Sequence, residues 1–164
     1  MIHLRLKTIV DEDFVNYCKP AMFIGTISCG GKCCTEGGFP LSVCQNDEWR
    51  ACPILSVPDE TIYDRYRVNP ITRAILFGGL EPFEQFEEIF NFISLIRTLH
   101  FCSDDVVIYT GYYPEEISKE IEALKIFQNI IVKFGRFIPN RPHKFEPLLG
   151  VELASNNQFA MRIS

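Results

Sequence analysis

Four short apolar runs separated by segments of helical patterning constrain this chain most. They are residues 22–27 (MFIGTI), 71–77 (ITRAILF), 105–110 (DVVIYT) and 130–134 (IIVKF), each short enough for a buried strand. Between them, Pro58-Asp59-Glu60 opens a helix predicted over 59–68, with acids in its first turn. Pro82 then stands at the first turn of the clearest helix, in which Phe83, Phe86, Ile89, Phe90, Ile93 and Ile96 recur at helical spacing to about Leu99. A third helix is predicted from Pro114 to Leu124. Strands and helices in this alternation predict an α/β fold, with a mostly parallel sheet joined by right-handed crossovers. Four such units cannot close an eight-stranded barrel, which takes about 250 residues, so the expectation is an open, partial (β/α) barrel. Residues 1–164 are expected to form a single domain.

In open sheets and barrels alike, ligands collect at the C-terminal ends of the strands. Three suggestive segments fall there: a cysteine loop over 28–46, Phe77-Gly78-Gly79-Leu80-Glu81-Pro82, and Tyr109-Thr110-Gly111-Tyr112. Cys29, Cys33, Cys34 and Cys44 lie within sixteen residues, and without a secretion signal that crowding favours metal or redox chemistry over disulfides. Gly30, Gly31, Gly37, Gly38 and Pro40 are expected to keep residues 29–40 free of regular structure, so that backbone can pass close to a bulky inorganic group. In such an extended loop the neighbours Cys33 and Cys34 are expected to diverge. Thiolates suit iron–sulfur clusters or zinc. A structural zinc site usually takes C-x2-C pairs or a Cys/His mixture; here no C-x2-C occurs, and His3, His100 and His143 lie far from the loop.

Net charge is −5, with Lys and Arg scattered, so no basic patch for nucleic acid is expected. No window approaches the roughly 20 apolar residues of a membrane span, and a cytoplasmic protein is expected. Cys18, Cys52 and Cys102 read as isolated thiols. Gly78-Gly79 could be an ordinary strand-to-helix turn, Glu81 a first-turn acid, and Ser155, Asn157 and Gln158 a polar turn before a last strand over 158–163.

Together these segments resemble the radical S-adenosylmethionine (SAM) enzymes, and within them the activating proteins of anaerobic ribonucleotide reductase. Cys29-Gly-Gly-Lys-Cys33 is similar to the first half of that family's C-x3-C-x2-C motif, and Cys44-Gln45-Asn46 to its end, although ten residues separate Cys33 from Cys44 where the family has two. Gly78-Gly79-Leu80-Glu81-Pro82 is similar to its GGEP motif with one residue added. Tyr109-Thr110-Gly111-Tyr112 resembles YTGY. Gly135-Arg136-Phe137 and Ala154-Ser155-Asn156-Asn157-Gln158 resemble G-K/R-F and GSxNQ, with Phe134 standing where the activating proteins carry Asp.

The resemblance implies a 4Fe-4S cluster on Cys29, Cys33 and Cys44, with Cys34 as substitute for Cys33. It further implies SAM contacts at Gly78, Gly79, Glu81, Pro82, Tyr109, Thr110, Ser155 and Asn157. The implied activity is reductive cleavage of SAM to a 5′-deoxyadenosyl radical, which would activate a larger glycyl radical enzyme such as anaerobic ribonucleotide reductase, with an external electron donor. A radical SAM enzyme acting on a peptide or small molecule, and a non-catalytic metal-binding module of the same fold, are the alternatives.

Overall fold

In the computed structural model, which describes residues 2–164, ten strands and five α-helices follow one another along the chain. They are β1 (His3–Leu6), β2 (Thr8–Asp13), β3 (Ala21–Gly25), α1 (Lys32–Gly37), α2 (Asp47–Ala51), β4 (Leu55–Pro58), α3 (Asp59–Arg67) and β5 (Ala74–Gly78). After these come α4 (Phe86–Thr98), β6 (Asp105–Tyr109), α5 (Ser118–Leu124), β7 (Ile130–Phe134), β8 (Lys144–Glu146), β9 (Val151–Leu153) and β10 (Phe159–Arg162).

The main sheet has six strands in the order β10-β7-β6-β5-β3-β2. Its four central strands are the four apolar runs, paired parallel, and the edge strands β2 and β10 pair antiparallel. The sheet is therefore mixed, and its strand order leaves two free edges. Small two-stranded ribbons, β1–β4 and β8–β9, complete the strands.

From β3 through β5 and β6 to β7 each new strand is added on the same side of the last. Crossovers of one hand then put the intervening helices on one face of the sheet. Side-chain alternation shows the result. Met22, Ile24, Ile75, Phe77, Val106, Ile108, Val132 and Phe134 point to a large core shared with Ile62 of α3, Phe92 and Ile96 of α4, and Ile121 of α5. The alternate residues Ala21, Ala74, Leu76, Val107 and Ile131 face the other way, against Tyr17, Leu149 and Leu153. No helix covers this second face in full. It is left for connecting segments and a cavity.

The predicted strands and helices form within a few residues of their expected limits, though β5 begins at Ala74 because Pro70-Ile71-Thr72-Arg73 turns beneath it. The cysteine loop requires a correction. It is not free of regular structure: α1 forms between Gly31 (φ 73°) and Gly38 (φ 69°), and a 3-10 turn follows at Leu41–Val43. The two left-handed glycines stop a short helix at each end, a conformation L side chains resist, rather than unwinding the whole segment. Cys33 and Cys34 are accordingly helical neighbours.

Candidate metal centre

The cysteine loop leaves the C-terminal end of β3 and is tied at once to the next strand end. Thr26 donates both its backbone N–H and its hydroxyl to the Gly78 carbonyl (2.9 and 3.1 Å). Glu81 N–H donates to the Ser28 carbonyl (2.8 Å). The turn after Glu81 holds the loop from the other side: Gln85 Oε1 accepts from Ile27 N–H (2.8 Å), and Glu84 accepts from Ser28 Oγ (2.8 Å) and Gly30 N–H (2.5 Å). Arg50 of α2 donates to the Cys29 carbonyl (2.5 Å), and Lys7 reaches the Arg50 and Cys52 carbonyls beyond it.

Within this frame lies a cavity of about 710 Å³ at the C-terminal strand ends, on the face of the sheet opposite α3, α4 and α5. That volume sits in the range of roughly 300–1,000 Å³ usual for cofactor and ligand sites. All four crowded cysteines line it, together with Gly79, Leu80, Glu81, Tyr109, Thr110 and Gly111 from the next two strand ends and Lys133 from β7. Each is a free thiol; Cys34 is buried, and Cys29, Cys33 and Cys44 are half-buried. Burial pushes the thiols of Cys29, Cys33 and Cys34 up from their ordinary value. At Cys33 the Phe137 backbone N–H and the charges of Lys133 and Arg136 pull the other way. The Cys33 sulfur stands so close to Gly111 that a Cβ there would meet it at 3.1 Å. Cys18 and Cys52 are exposed and line no part of this cavity.

Glu81 is the buried carboxyl group of the site. It accepts from Thr110 Oγ1 (2.7 Å), Gly111 N–H (2.9 Å) and Phe83 N–H (3.1 Å), so it both locks two strand ends together and caps the turn beginning at Pro82. Burial pushes its pKa up, and these three donors oppose the shift. Gly79 adopts φ 85°, and the Trp49 ring lies over it and Gly25, where added Cβ atoms would meet the indole at 3.2 and 2.4 Å.

Of the residues singled out in the sequence, the structure brings Cys29, Cys33, Cys34, Cys44, Gly79, Glu81, Tyr109 and Thr110 to one cavity. Gly78, Pro82, Ser155 and Asn157 do not line it. Gly78 ends β5 with its carbonyl taken by Thr26, and Pro82 is buried behind Glu81. Ser155 is fully buried and, with Asn157 Nδ2 (2.8 Å), bonds to the Arg136 carbonyl. Trp49 and Lys133 are among the cavity residues that carry no expectation from the sequence. Trp49 is the single tryptophan and lies outside any recognised motif. Lys133 had a signal, a cation inside an apolar strand run. It is the buried cation of the cavity wall, 3.5 Å from the Gly135 carbonyl and over the Tyr109 ring, with its pKa lowered to about 8 by burial. Among the described residues it forms no ion pair.

The donor set fits a multi-iron cluster. Thiolates bound to such a cluster go to different irons, so they stand around a cavity instead of meeting at a point. Residues 43–158, more than half of the chain, match the family described as a 4Fe-4S single cluster domain. The chain belongs to that family. The match takes in Cys44, the Gly79–Glu81 and Tyr109–Gly111 strand ends and Gln158, and begins after Cys29, Cys33 and Cys34. No curated protein and no solved structure matches the chain. Family membership makes a 4Fe-4S cluster the group this chain binds.

Proposed function

We propose that this 4Fe-4S protein is a radical SAM enzyme of the glycyl-radical-activating type, its sheet a partial barrel of that superfamily. One observation carries the reading: the cysteine loop and the segments resembling GGEP and YTGY, far apart in sequence, line one cavity at successive strand ends. One-directional strand order with helices on a single face supports the barrel relationship. Bound here, a cluster of this kind would supply the electron for reductive cleavage of SAM to methionine and a 5′-deoxyadenosyl radical.

The chain's own groups have definable tasks. Cys29, Cys33 and Cys44 would hold the cluster, with Cys34, beside Cys33 on α1, as the substitute for Cys33. Gly79, in a conformation that presents backbone to the cavity, gives carbonyl acceptors for an ammonium group. The ammonium of Lys133, without a carboxylate partner, is suited to a ligand carboxylate, since the fold has already desolvated it and its Coulombic attraction is less screened there than in water. Glu81 does not need to touch ligand to matter, because it fixes Gly111 and Thr110 at the rim. Val10, Phe14, Val15, Phe39 and Val43 are exposed apolar residues on the cavity lining, a surface suited to the larger partner enzyme whose glycine would lose hydrogen. An external donor reduces the cluster.

The test is anaerobic reconstitution with iron and sulfide, reduction, addition of SAM and chromatography for 5′-deoxyadenosine. Product formed at about one equivalent or more per cluster supports the proposal. A fully loaded, reduced cluster that yields none overturns SAM cleavage and leaves a non-catalytic cluster-binding module.

A further inference from the structure

The network that fixes α1 lies outside the cavity and has no part in the reading above. Arg136 follows the left-handed Gly135 (φ 104°) at the end of β7, and its side chain is 7% exposed. Its guanidinium donates to Glu116 (Nη1 to Oε2, 2.7 Å; Nη2 to Oε1, 2.5 Å) and to Glu36 (Nη2 to Oε1, 3.0 Å). It also donates to the Gly111 carbonyl (3.1 Å) and lies over the Tyr113 ring, 5.1 Å from its centroid. Glu36 belongs to α1, one turn after Cys33. Lys32, one residue before Cys33, pairs with Glu116. Gly111 is the residue against which the Cys33 sulfur rests. One buried cation thus joins the cysteine helix, the 3-10 turn at Pro114–Glu116 and the third strand end.

Arg136 is in turn held from behind. Asn157 Nδ2 and Ser155 Oγ donate to its carbonyl, and Gln158 Nε2 donates to the Gly135 carbonyl (3.1 Å). This accounts for Ser155 and Asn157, which belong to a recognisable motif yet stay out of the cavity. A six-residue helix has little stability of its own, so its place must come from tertiary contacts. Charge-assisted, forked guanidinium–carboxylate bonds give direction as well as strength; Arg136 itself is buried, Glu116 is 22% and Glu36 50% exposed, and a lysine cannot reproduce the fork.

We propose that Arg136 is a positioning residue for the metal centre: through Glu36 it docks α1 so that Cys33 stands in the cavity and Cys34 stays buried. The inference rests on the cysteine cavity, not on SAM chemistry, and it can be read without a cluster.

The experiment is timed alkylation of the reduced apo chain, with each cysteine followed by mass spectrometry. In the wild type Cys34 should react at least tenfold more slowly than exposed Cys18 and Cys52. In Arg136→Gln the Cys34 rate should rise five- to tenfold and the Cys33 rate should change with it, while Cys18 and Cys52 keep their wild-type rates. Arg136→Lys should recover part of the protection, since it restores charge without the fork. Reconstituted Arg136→Gln should also lose iron to a chelator several-fold faster than the wild type, whatever its behaviour toward SAM. Should Arg136→Gln fail to fold, Glu36→Gln removes the α1 half of the contact alone and should raise the Cys34 rate two- to fivefold. Unchanged Cys34 protection in the folded variant, or equal acceleration at all four cysteines, overturns the proposal. Failure to cleave SAM in either protein leaves it standing.

Discussion

The two faces of the central sheet are built from alternate residues of the same four strands, yet they are put to opposite uses. On one, Phe77, Ile108, Val132 and Phe134 meet three helices in a dry, continuous core. On the other, Phe23, Tyr109 and Lys133 look out at the strand ends over a cavity roofed by short segments. The first is held by apolar contact with no particular direction. The second has a smaller apolar cluster, where Leu76, Val107 and Ile131 meet Tyr17, Leu149 and Leu153, and around the cavity it is held by named polar bonds, Glu81 to Gly111, Arg50 to Cys29 and Arg136 to Glu36, and so has less stability in reserve. Stability belongs to the helical face, and binding chemistry to the open one.

Removing the cysteines should break this division most visibly. Cys29→Ala and Cys44→Ala are each expected to abolish iron retention after anaerobic reconstitution, whereas Cys34→Ala should keep the cluster; iron and sulfide analysis decides it. The apo forms of Cys29→Ala and Cys44→Ala, both half-buried, should unfold within about 0.5 kcal/mol of the wild type, as substitutions outside a core do. If either variant also loses several kcal/mol of stability, the two faces are not separate.

Phe92→Ala attacks the other face. Phe92 is fully buried edge-on against Phe77 (ring centroids 5.9 Å apart), and its truncation should cost about 3–5 kcal/mol in denaturant unfolding. Where the variant still folds, its alkylation pattern at Cys29, Cys33, Cys34 and Cys44 should match the wild type.

Asp59, at the start of α3, sharpens the comparison through pH. It is 1% exposed, and burial pushes its pKa up to about 6, with the charge of His3 and the Leu4 backbone N–H opposing. The unfolded chain releases this proton near 3.9. Stability from the protonated form is therefore complete below about pH 4 and is lost as pH rises through 6. Asp59→Asn should be more stable than the wild type by about 2 kcal/mol at pH 7.5, and the difference should vanish near pH 4. A constant difference across that range would assign the effect to something other than titration.

The smallest effect is expected at Gly25→Ala, whose methyl would meet Trp49 at 2.4 Å. The ring can move toward the cavity, so the cost should be about 1–2 kcal/mol. As the single tryptophan, Trp49 should report the move as red-shifted emission. Unshifted emission would mean that the sheet yields instead of the roof.

The chain's sequence determined the elements whose signal is periodic and local. Four apolar runs became the four central parallel strands, and the phenylalanine and isoleucine spacing over 83–99 became α4 with the turn before it. It also determined that the cysteine loop and two strand-end segments would share a rim, because same-handed crossovers bring successive strand ends together. β1, β2, β4 and the β8–β9 ribbon escaped it, since these short strands carry mixed polar residues and gain their pairing from distant partners, as Leu4 does with Val57. So did α1, where glycines that read as unbroken loop serve as helix stops.

Only the tertiary structure decided which residues of a motif face the site. Glu81 turned inward to bind Gly111, Ser155 and Asn157 turned to the Arg136 carbonyl, and Trp49 and Lys133 entered the cavity from segments with no motif. Such choices depend on which partners lie within hydrogen-bonding or packing reach after the chain has closed, and residues 20 to 100 apart in sequence carry no local record of that.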